Sequence, residues 1–182
     1  MVNVAKSETG QNNRLESAGA LKYLTFHLGK ELYAINIMAV REILEYEEVT
    51  SMPMMPDFIC GAINLRGRAV PVIDLARRMC QGEAAYSGRA CIIIVEMRYD
   101  ETTLDVGVIV DAVNRVIDLK TSDIDTTPTF GGNIRTDFLT GLGKVDGQFI
   151  ILLNIEKVLS MDDLRILSEV DSHIDQDDEP PG

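Results

Sequence analysis

The sequence predicts a mostly β chain made of two similar small barrels, and the main evidence is an internal repeat. The segment FICGAINLRGRAVPVIDLARRM (58–79) aligns without a gap with FLTGLGKVDGQFIILLNIEKVL (138–159), at an offset of 80 residues. The segment YAINIMAVREIL (33–44) aligns with VGVIVDAVNRVI (106–117), at an offset of 73. Repetition of this kind indicates two copies of one supersecondary unit. With about five short strands per copy, a closed or nearly closed barrel is the usual way to avoid exposed edges.

Each longer repeat reads as a strand, a glycine turn, a second strand and the start of a helix. Gly67 and Gly147 mark the turns, because glycine adopts positive φ at little cost. Asp74 and Asn154 follow the second strands, where a side-chain oxygen can accept hydrogen bonds from the first free N–H groups of a helix. Arg77–Arg78 lies in the predicted last turn of the first helix, where positive charge favours the helix dipole.

Alternation of apolar residues and the spacing of turns predict the strands. They are Leu21–Leu28, Leu32–Ile37, Ile59–Leu65, Arg68–Ile73, Ala90–Arg98, Leu104–Val110, Phe138–Val145 and Gln148–Leu153. The A-V-x-x-[IV] segments at 39–43 and 112–116 are predicted to be kinked or helical. A helix is predicted at 161–170, begun by the capping box Ser160-x-x-Asp163.

These elements predict a first barrel at about 20–85, a second barrel at about 88–160 and a C-terminal helix at 161–170. The second copy has seven more residues between its two repeated blocks, since the offset rises from 73 to 80. They fall in the loop-like stretch LKTSDIDTTPTFGGNIRTD (119–137). The N-terminal segment 1–19 and the acidic tail 171–182 are expected to be disordered.

Composition disfavours several classes of protein. With 17 basic and 29 acidic residues the net charge is −12, which disfavours binding to nucleic acid or to anionic membranes. The chain contains no apolar run of about 18 residues and no apolar signal-peptide core at its start, so we expect a cytoplasmic protein. Cys60, Cys80 and Cys91 are odd in number and widely spaced, so they predict buried structural thiols rather than disulfides or a zinc site.

No catalytic constellation is visible in the sequence. His27 and His173 have no neighbouring nucleophile in a recognisable motif. Asp123 and Asp125 lack the further oxygen ligands of a calcium loop. No glycine-rich phosphate loop occurs either. The residues therefore give no support for a catalytic function, and we expect neither a cofactor nor a metal.

One exposed turn is unusual, namely Asn64-Leu65-Arg66-Gly67. Its counterpart in the second copy is Lys144-Val145-Asp146-Gly147, so packing does not dictate the residue before the glycine. An arginine on a rigid hairpin can serve a structural ion pair or a binding role. The residues alone leave these two alternatives open for Arg66.

The segments VREI, GAINLRGRAVPVIDL and LTGLGKVDGQFIILLNIEKVL, in that order, resemble the CheW family of chemotaxis coupling proteins over residues 20–167. The resemblance implies two five-stranded SH3-like barrels packed around a shared apolar interface, with no catalytic activity. It implies two partners, the histidine kinase CheA, through its regulatory domain, and the cytoplasmic tips of chemoreceptors. The protein would then be recruited from the cytoplasm to membrane-associated receptor arrays, in which kinase and coupler alternate in rings and the receptor tip docks between the barrels.

The resemblance also implies a set of partner-binding residues and an ion pair between Arg66 and Glu42. The set comprises Val40, Glu42, Ile43, Gly61, Asn64, Leu65, Arg66, Gly67, Gly107, Val108 and Leu142. Gly61 and Gly107 are expected to be positions where a side chain would intrude on packing or docking. Two alternative functions stay open, a coupler of a parallel motility or surface-sensing system and a small-ligand-binding β-barrel.

Overall fold

The computed structural model describes residues 20–79, 88–126 and 138–177, with residues 171–177 described by their backbone only. The strands in this part of the chain are β1 Ala20–Leu28, β2 Glu31–Asn36, β3 Val40–Glu45, β4 Ile59–Leu65, β5 Arg68–Asp74, β6 Cys91–Tyr99, β7 Thr102–Val110, β8 Ala112–Lys120, β9 Ile124–Asp125, β10 Leu139–Val145 and β11 Gln148–Leu153. The helices are α1 Leu75–Arg78, α2 Ile155–Val158 and α3 Met161–Asp177, with single 3₁₀ turns at Ile37–Ala39 and Thr121–Asp123. The predicted mostly β fold with short helices is confirmed.

The strands form two sheets, and each sheet takes strands from both halves of the chain. The order in the first sheet, which we call barrel A, is β8-β1-β2-β11-β10-β9. The order in the second, barrel B, is β3-β6-β7-β5-β4. The expected division into one barrel at 20–85 and another at 88–160 is therefore wrong. Each copy contributes its first two strands to one barrel and its remaining strands to the other.

The internal repeat explains why this exchange is symmetrical. Two parallel pairings, β11 with β2 and β5 with β7, join the halves at equivalent places. The bulge between Ile59 and Gly61 in β4 recurs between Leu139 and Gly141 in β10. Because the two copies offer the same edges, the repeat in the sequence identifies equivalent strands but not which copy completes each sheet. The three-dimensional duplication follows the alignment residue by residue.

Two predictions about local structure need correction. The segments at 39–43 and 112–116 lie mostly in strands β3 and β8, where pairing with β6 and β1 outweighs the short turn before β3. Helix α3 continues to Asp177, so the part of the predicted tail at 171–177 is helical. Residues 1–19, Cys80, the side chain of His173, most of the predicted loop at 119–137 and the end of the tail lie outside the described residues.

The predicted helix caps are present. Arg77 N–H donates to Asp74 Oδ1 at 3.2 Å, and Glu156 N–H donates to Asn154 Oδ1 at 3.2 Å. At the start of α3, Asp163 N–H donates to Ser160 Oγ at 3.1 Å, and Ser160 N–H donates to Asp163 Oδ2 at 2.9 Å. This reciprocal pair is the capping box expected from the sequence. Since Asn154 begins α2 directly after β11, the caps fix the direction in which the chain leaves each barrel.

The apolar residues sort into three clusters because neighbouring residues of a strand face opposite sides. One cluster fills barrel A, with Ala34 and Leu152 at its centre, and another fills barrel B, with Ile92 and Ile94. The largest cluster lies between the barrels and contains Ile35, Ile93 and Leu153 among many others. Leu164 and Leu167 of α3 complete this shared core. The two barrels are therefore packed on each other through one face of each sheet.

Candidate partner-binding surfaces

The hairpin between β4 and β5 holds Arg66 in an uncommon backbone conformation. The φ values of Arg66 and Gly67 are 53° and 82°, as a type I′ turn requires. Gly67 N–H donates to Asn64 Oδ1 at 2.9 Å and closes the turn. Glycine, asparagine and aspartate adopt this region readily, whereas other residues do so at a cost of roughly 1–2 kcal/mol. The fold therefore keeps an arginine at a position where an asparagine would be more stable.

Arg66 forms an ion pair with Glu42 across the end of barrel B. Arg66 Nη2 donates to Glu42 Oε1 at 2.7 Å, which is the pair implied by the sequence resemblance. The Arg66 side chain is 75% exposed and that of Glu42 is 28% exposed. A pair this accessible to water contributes about 0–1 kcal/mol to stability. The main effect of the pair is therefore to orient the guanidinium group.

Further charges lie beside this pair and fix two other arginines. Asp105 forms ion pairs with Arg41 at 3.4 Å and with Arg68 at 3.6 Å, and Arg41 also donates a hydrogen bond to Glu96. The hydrogen bond to Glu96, followed by the charges of Asp105 and Glu96, raises the pKa of Arg41 above its usual value. A cleft of about 280 Å³ opens among these residues. The end of barrel B thus presents oriented guanidinium groups at a preformed hollow.

Barrel A repeats this arrangement with the charges reversed. At its β10–β11 hairpin Asp146 has φ 52° and Gly147 has φ 78°. Arg115 of β8 pairs with Asp146 at 3.5 Å. By the two offsets of the repeat, Arg115 is the equivalent of Glu42 and Asp146 is the equivalent of Arg66. Comparison of the two turns alone does not reveal this second pair, but the two offsets taken together predict it.

A groove of about 360 Å³ runs between the barrels. Its walls come from both barrels and from α2, and they comprise Tyr23, Asn36, Met38, Ala39, Glu96, Arg98, Thr140, Leu153, Asn154, Ile155 and Glu156. Met38 stands on the rim with 88% of its surface exposed, whereas Tyr23 is 3% exposed. Burial raises the pKa of the Tyr23 hydroxyl. The groove thus combines an apolar floor with charged residues along its edge.

Comparison with known proteins identifies the family to which these features belong. The CheW-like domain model matches residues 22–163. The chain belongs to the CheW family. It is 37% identical to the chemotaxis protein CheW of Klebsiella aerogenes over 149 residues, which cover 82% of this chain and 87% of that protein. It is 30% identical to protein FrzA of Myxococcus xanthus over 141 residues, covering 76% of this chain and 84% of that one.

A solved structure supports the same assignment. The crystal structure of the scaffolding protein TtCheW from Thermoanaerobacter tengcongensis matches with a TM-score of 0.68 and 36% identity, covering 77% of this chain and 88% of that chain. The CheW family consists of chemotaxis scaffolding and adaptor proteins rather than enzymes, and its two subdomains are SH3-like barrels. Within the described ranges, no helix has the length and apolar character needed to cross a membrane.

The residues expected from the CheW family separate into two groups in the structure. Near the end of barrel B lie Glu42, Asn64, Leu65, Arg66 and Gly67, together with Ile43, which is 43% exposed. The remaining residues lie elsewhere, and they are Val40, Gly61, Gly107, Val108 and Leu142. Val40 packs against the shared core, and Leu142 is half-buried on β10.

Three residues of the second group are buried and serve packing. Val108 is 2% exposed within the shared core, so its side chain offers no surface to a partner. A Cβ at Gly107 would lie 2.9 Å from Ile92 Cγ2, and one at Gly61 would lie 1.8 Å from Thr50 O. The two glycines therefore permit close packing inside barrel B. Cys60 and Cys91 are half-buried rather than fully buried.

Proposed function

We propose that this chain couples the cytoplasmic tips of chemoreceptors to the histidine kinase CheA and regulates the kinase within a receptor array. The groove between the barrels would receive a receptor helix, and the end of barrel B would contact the regulatory domain of the kinase. Membership of a family of chemotaxis scaffolding proteins supports the function in general. The two surfaces described above support the particular partners.

The receptor half of the proposal is supported by a helix of the chain itself, which packs against the strand equivalent to β11 in the other copy. Helix α3 packs against β5, and its Leu164 and Leu167 share a cluster with Ile73. The equivalent of β5 in the other copy is β11, and the equivalent of Ile73 is Leu153. Leu153 lines the open groove. Among the described residues, α3 thus packs along β5, whereas β11 borders a groove at Leu153, itself only 2% exposed, and an external amphipathic helix would fill this groove.

The kinase half of the proposal is supported by the strained turn at Arg66. Residues held in costly backbone conformations are concentrated at functional sites. Arg66 is exposed and is oriented by Glu42. Arginine is enriched at protein interfaces relative to the rest of the surface. Weak contacts of this kind would gain strength from the many linked copies in an array.

Two alternatives are weighed against the coupling role. The likeness to FrzA keeps open a coupler of a parallel motility or surface-sensing system, which would use the same surfaces. A small-ligand-binding barrel has less support, because apolar side chains fill the centres of barrels A and B. The choice between chemosensory systems depends on which kinase and receptors respond to the protein.

Kinase activation in vitro tests the proposal. CheA and receptor signalling fragments displayed on vesicles are combined with this protein, and phosphate transfer is followed with and without it. We expect strong stimulation only when all three components are present. Met38→Glu should abolish it by placing a charge on the rim of the groove, while Met54→Glu, at a residue that is also fully exposed but lies on the β3–β4 connection, should not. Equal activity of both variants would refute the groove assignment.

A further inference from the structure

One face of the β10–β11 hairpin carries side chains close in the strand to Leu153, which lines the groove. Leu142 pairs with Ile151 and Lys144 pairs with Phe149, so these four side chains share one face of barrel A. We call them the distal strip. Leu153, which lines the groove, lies on the same face of β11, because Ile150 and Leu152 point into barrel A. The distal strip therefore lies on the same face of β11 as Leu153 and begins two residues from it.

Comparison of the two copies shows what is unusual about the distal strip. Phe149, Ile151 and Leu153 are equivalent to Ala69, Pro71 and Ile73 of β5 at the offset of 80 residues. On β5, Ile73 of this face shares a cluster with Leu164 and Leu167 of α3, and Ala69 is 6% exposed. On β11 the equivalent residue is a phenylalanine that is 62% exposed. The larger side chain thus stands exposed on the copy whose strand does not carry α3.

Charge adds a second feature to the distal strip. Lys144 Nζ lies 5.8 Å from the centre of the Phe149 ring, so the cation covers part of the apolar surface. The equivalent residue in the first copy is Asn64, which closes a turn instead. A partner that covers Phe149 would meet this ammonium group. A carboxylate on the partner would satisfy it without loss of the apolar contact.

We propose that the partner helix received by the groove also crosses the distal strip, with Phe149 as an apolar anchor and Lys144 as the contact for an acidic residue of the helix. This inference rests on the proposed function, because it extends the same binding site. From Leu153 to Phe149 the strand rises about 13 Å at roughly 3.3 Å per residue. At 1.5 Å per residue, the helix would extend about nine residues past the groove. The partner is thus a long amphipathic helix that carries a carboxylate near its distal end.

A binding titration with helices of two lengths tests the inference. The probe is the signalling-tip fragment of a chemoreceptor encoded in the same genome, used whole and shortened by nine residues at the distal end. We expect Phe149→Ala to weaken binding of the whole fragment by about fivefold or more. The same variant should leave binding of the shortened fragment unchanged. Lys144→Glu should also weaken binding of the whole fragment, most clearly at low salt.

Controls separate the distal strip from the groove and from the fold. Met161→Ala removes another exposed apolar side chain, 59% exposed at the start of α3, and should bind as the wild type does. Since Phe149 is largely exposed, circular dichroism should show an intact fold. If Met38→Glu abolishes binding while Phe149→Ala binds the whole fragment normally, the distal strip is not part of the site. If the wild type binds no receptor fragment, both the proposed receptor coupling and the partner proposed for the distal strip are wrong.

Discussion

Replacing Arg66 with asparagine separates its role in the turn from its role at the surface. Two contributions to the free energy of unfolding change in opposite directions. Loss of the exposed pair with Glu42, in which the arginine is 75% exposed, removes about 0–1 kcal/mol. Asparagine accepts the φ of 53° more readily, which relieves part of a strain of roughly 1–2 kcal/mol. We therefore expect the free energy of unfolding of Arg66→Asn to equal that of the wild type or to exceed it by up to about 1 kcal/mol.

Urea unfolding followed by circular dichroism measures this difference, and Arg66→Ala completes the comparison. Alanine also loses the ion pair but does not relieve the strain, so Arg66→Ala should be less stable than Arg66→Asn. Asp146→Asn is the matched control in the equivalent turn of barrel A, where both residues accept positive φ. It should change stability by no more than about 0.5 kcal/mol.

The same variants decide between the two roles that the sequence leaves open for Arg66. Arg66→Asn should lower kinase stimulation despite its stable fold, whereas Asp146→Asn serves only as the control for stability. A loss of more than about 2 kcal/mol in Arg66→Asn would refute the reasoning, because it would make the ion pair a structural element. Full kinase stimulation by a stable Arg66→Asn variant would argue against a binding role for the arginine.

Three further predictions concern packing, capping and pH. Gly61→Ala should destabilise the fold by about 3 kcal/mol or more, because its Cβ would lie 1.8 Å from Thr50 O. Gly147 has open space around it, so Gly147→Ala should lower the free energy of unfolding in urea by only about 1 kcal/mol. Asp163→Ala should lower the free energy of unfolding by about 1–2 kcal/mol, since it removes the capping box and the 3.4 Å pair with Arg78. As the control, Asp162→Ala replaces an 88% exposed side chain and should change thermal unfolding little. Burial raises the pKa of the Tyr23 hydroxyl above 10.0, so the stability that the protonated hydroxyl contributes is present below pH 10.0 and is lost as pH rises through the pKa of the folded state. Tyr23→Phe should therefore make the free energy of unfolding fall less steeply above pH 10.0. An unchanged pH profile would exclude this contribution of Tyr23.

Local structure was predictable where the signal lies within a few residues. The turns at Gly67 and Gly147, the caps at Asp74 and Asn154 and the capping box at Ser160 depend on neighbouring side chains and backbone groups. Strands β3 and β8 were not recognised, because their pairing with β6 and β1 comes from residues far away in the chain. The length of α3 was underestimated, since its acidic end resembles a solvated tail.

For the candidate site too, some features follow from the sequence and others only from the fold. The sequence by itself determined that the chain is a duplicated β protein of the CheW family and that Arg66 stands on an exposed turn. Tertiary structure alone decided that the two copies exchange strands, because equivalent edges in a repeat can pair within a copy or between copies at similar local cost. Burial then decided which expected residues can meet a partner, so Val108 lies in the core while Phe149 is exposed. Exposure depends on what packs over a strand, and for β5 that is α3, a helix more than 80 residues away in the chain.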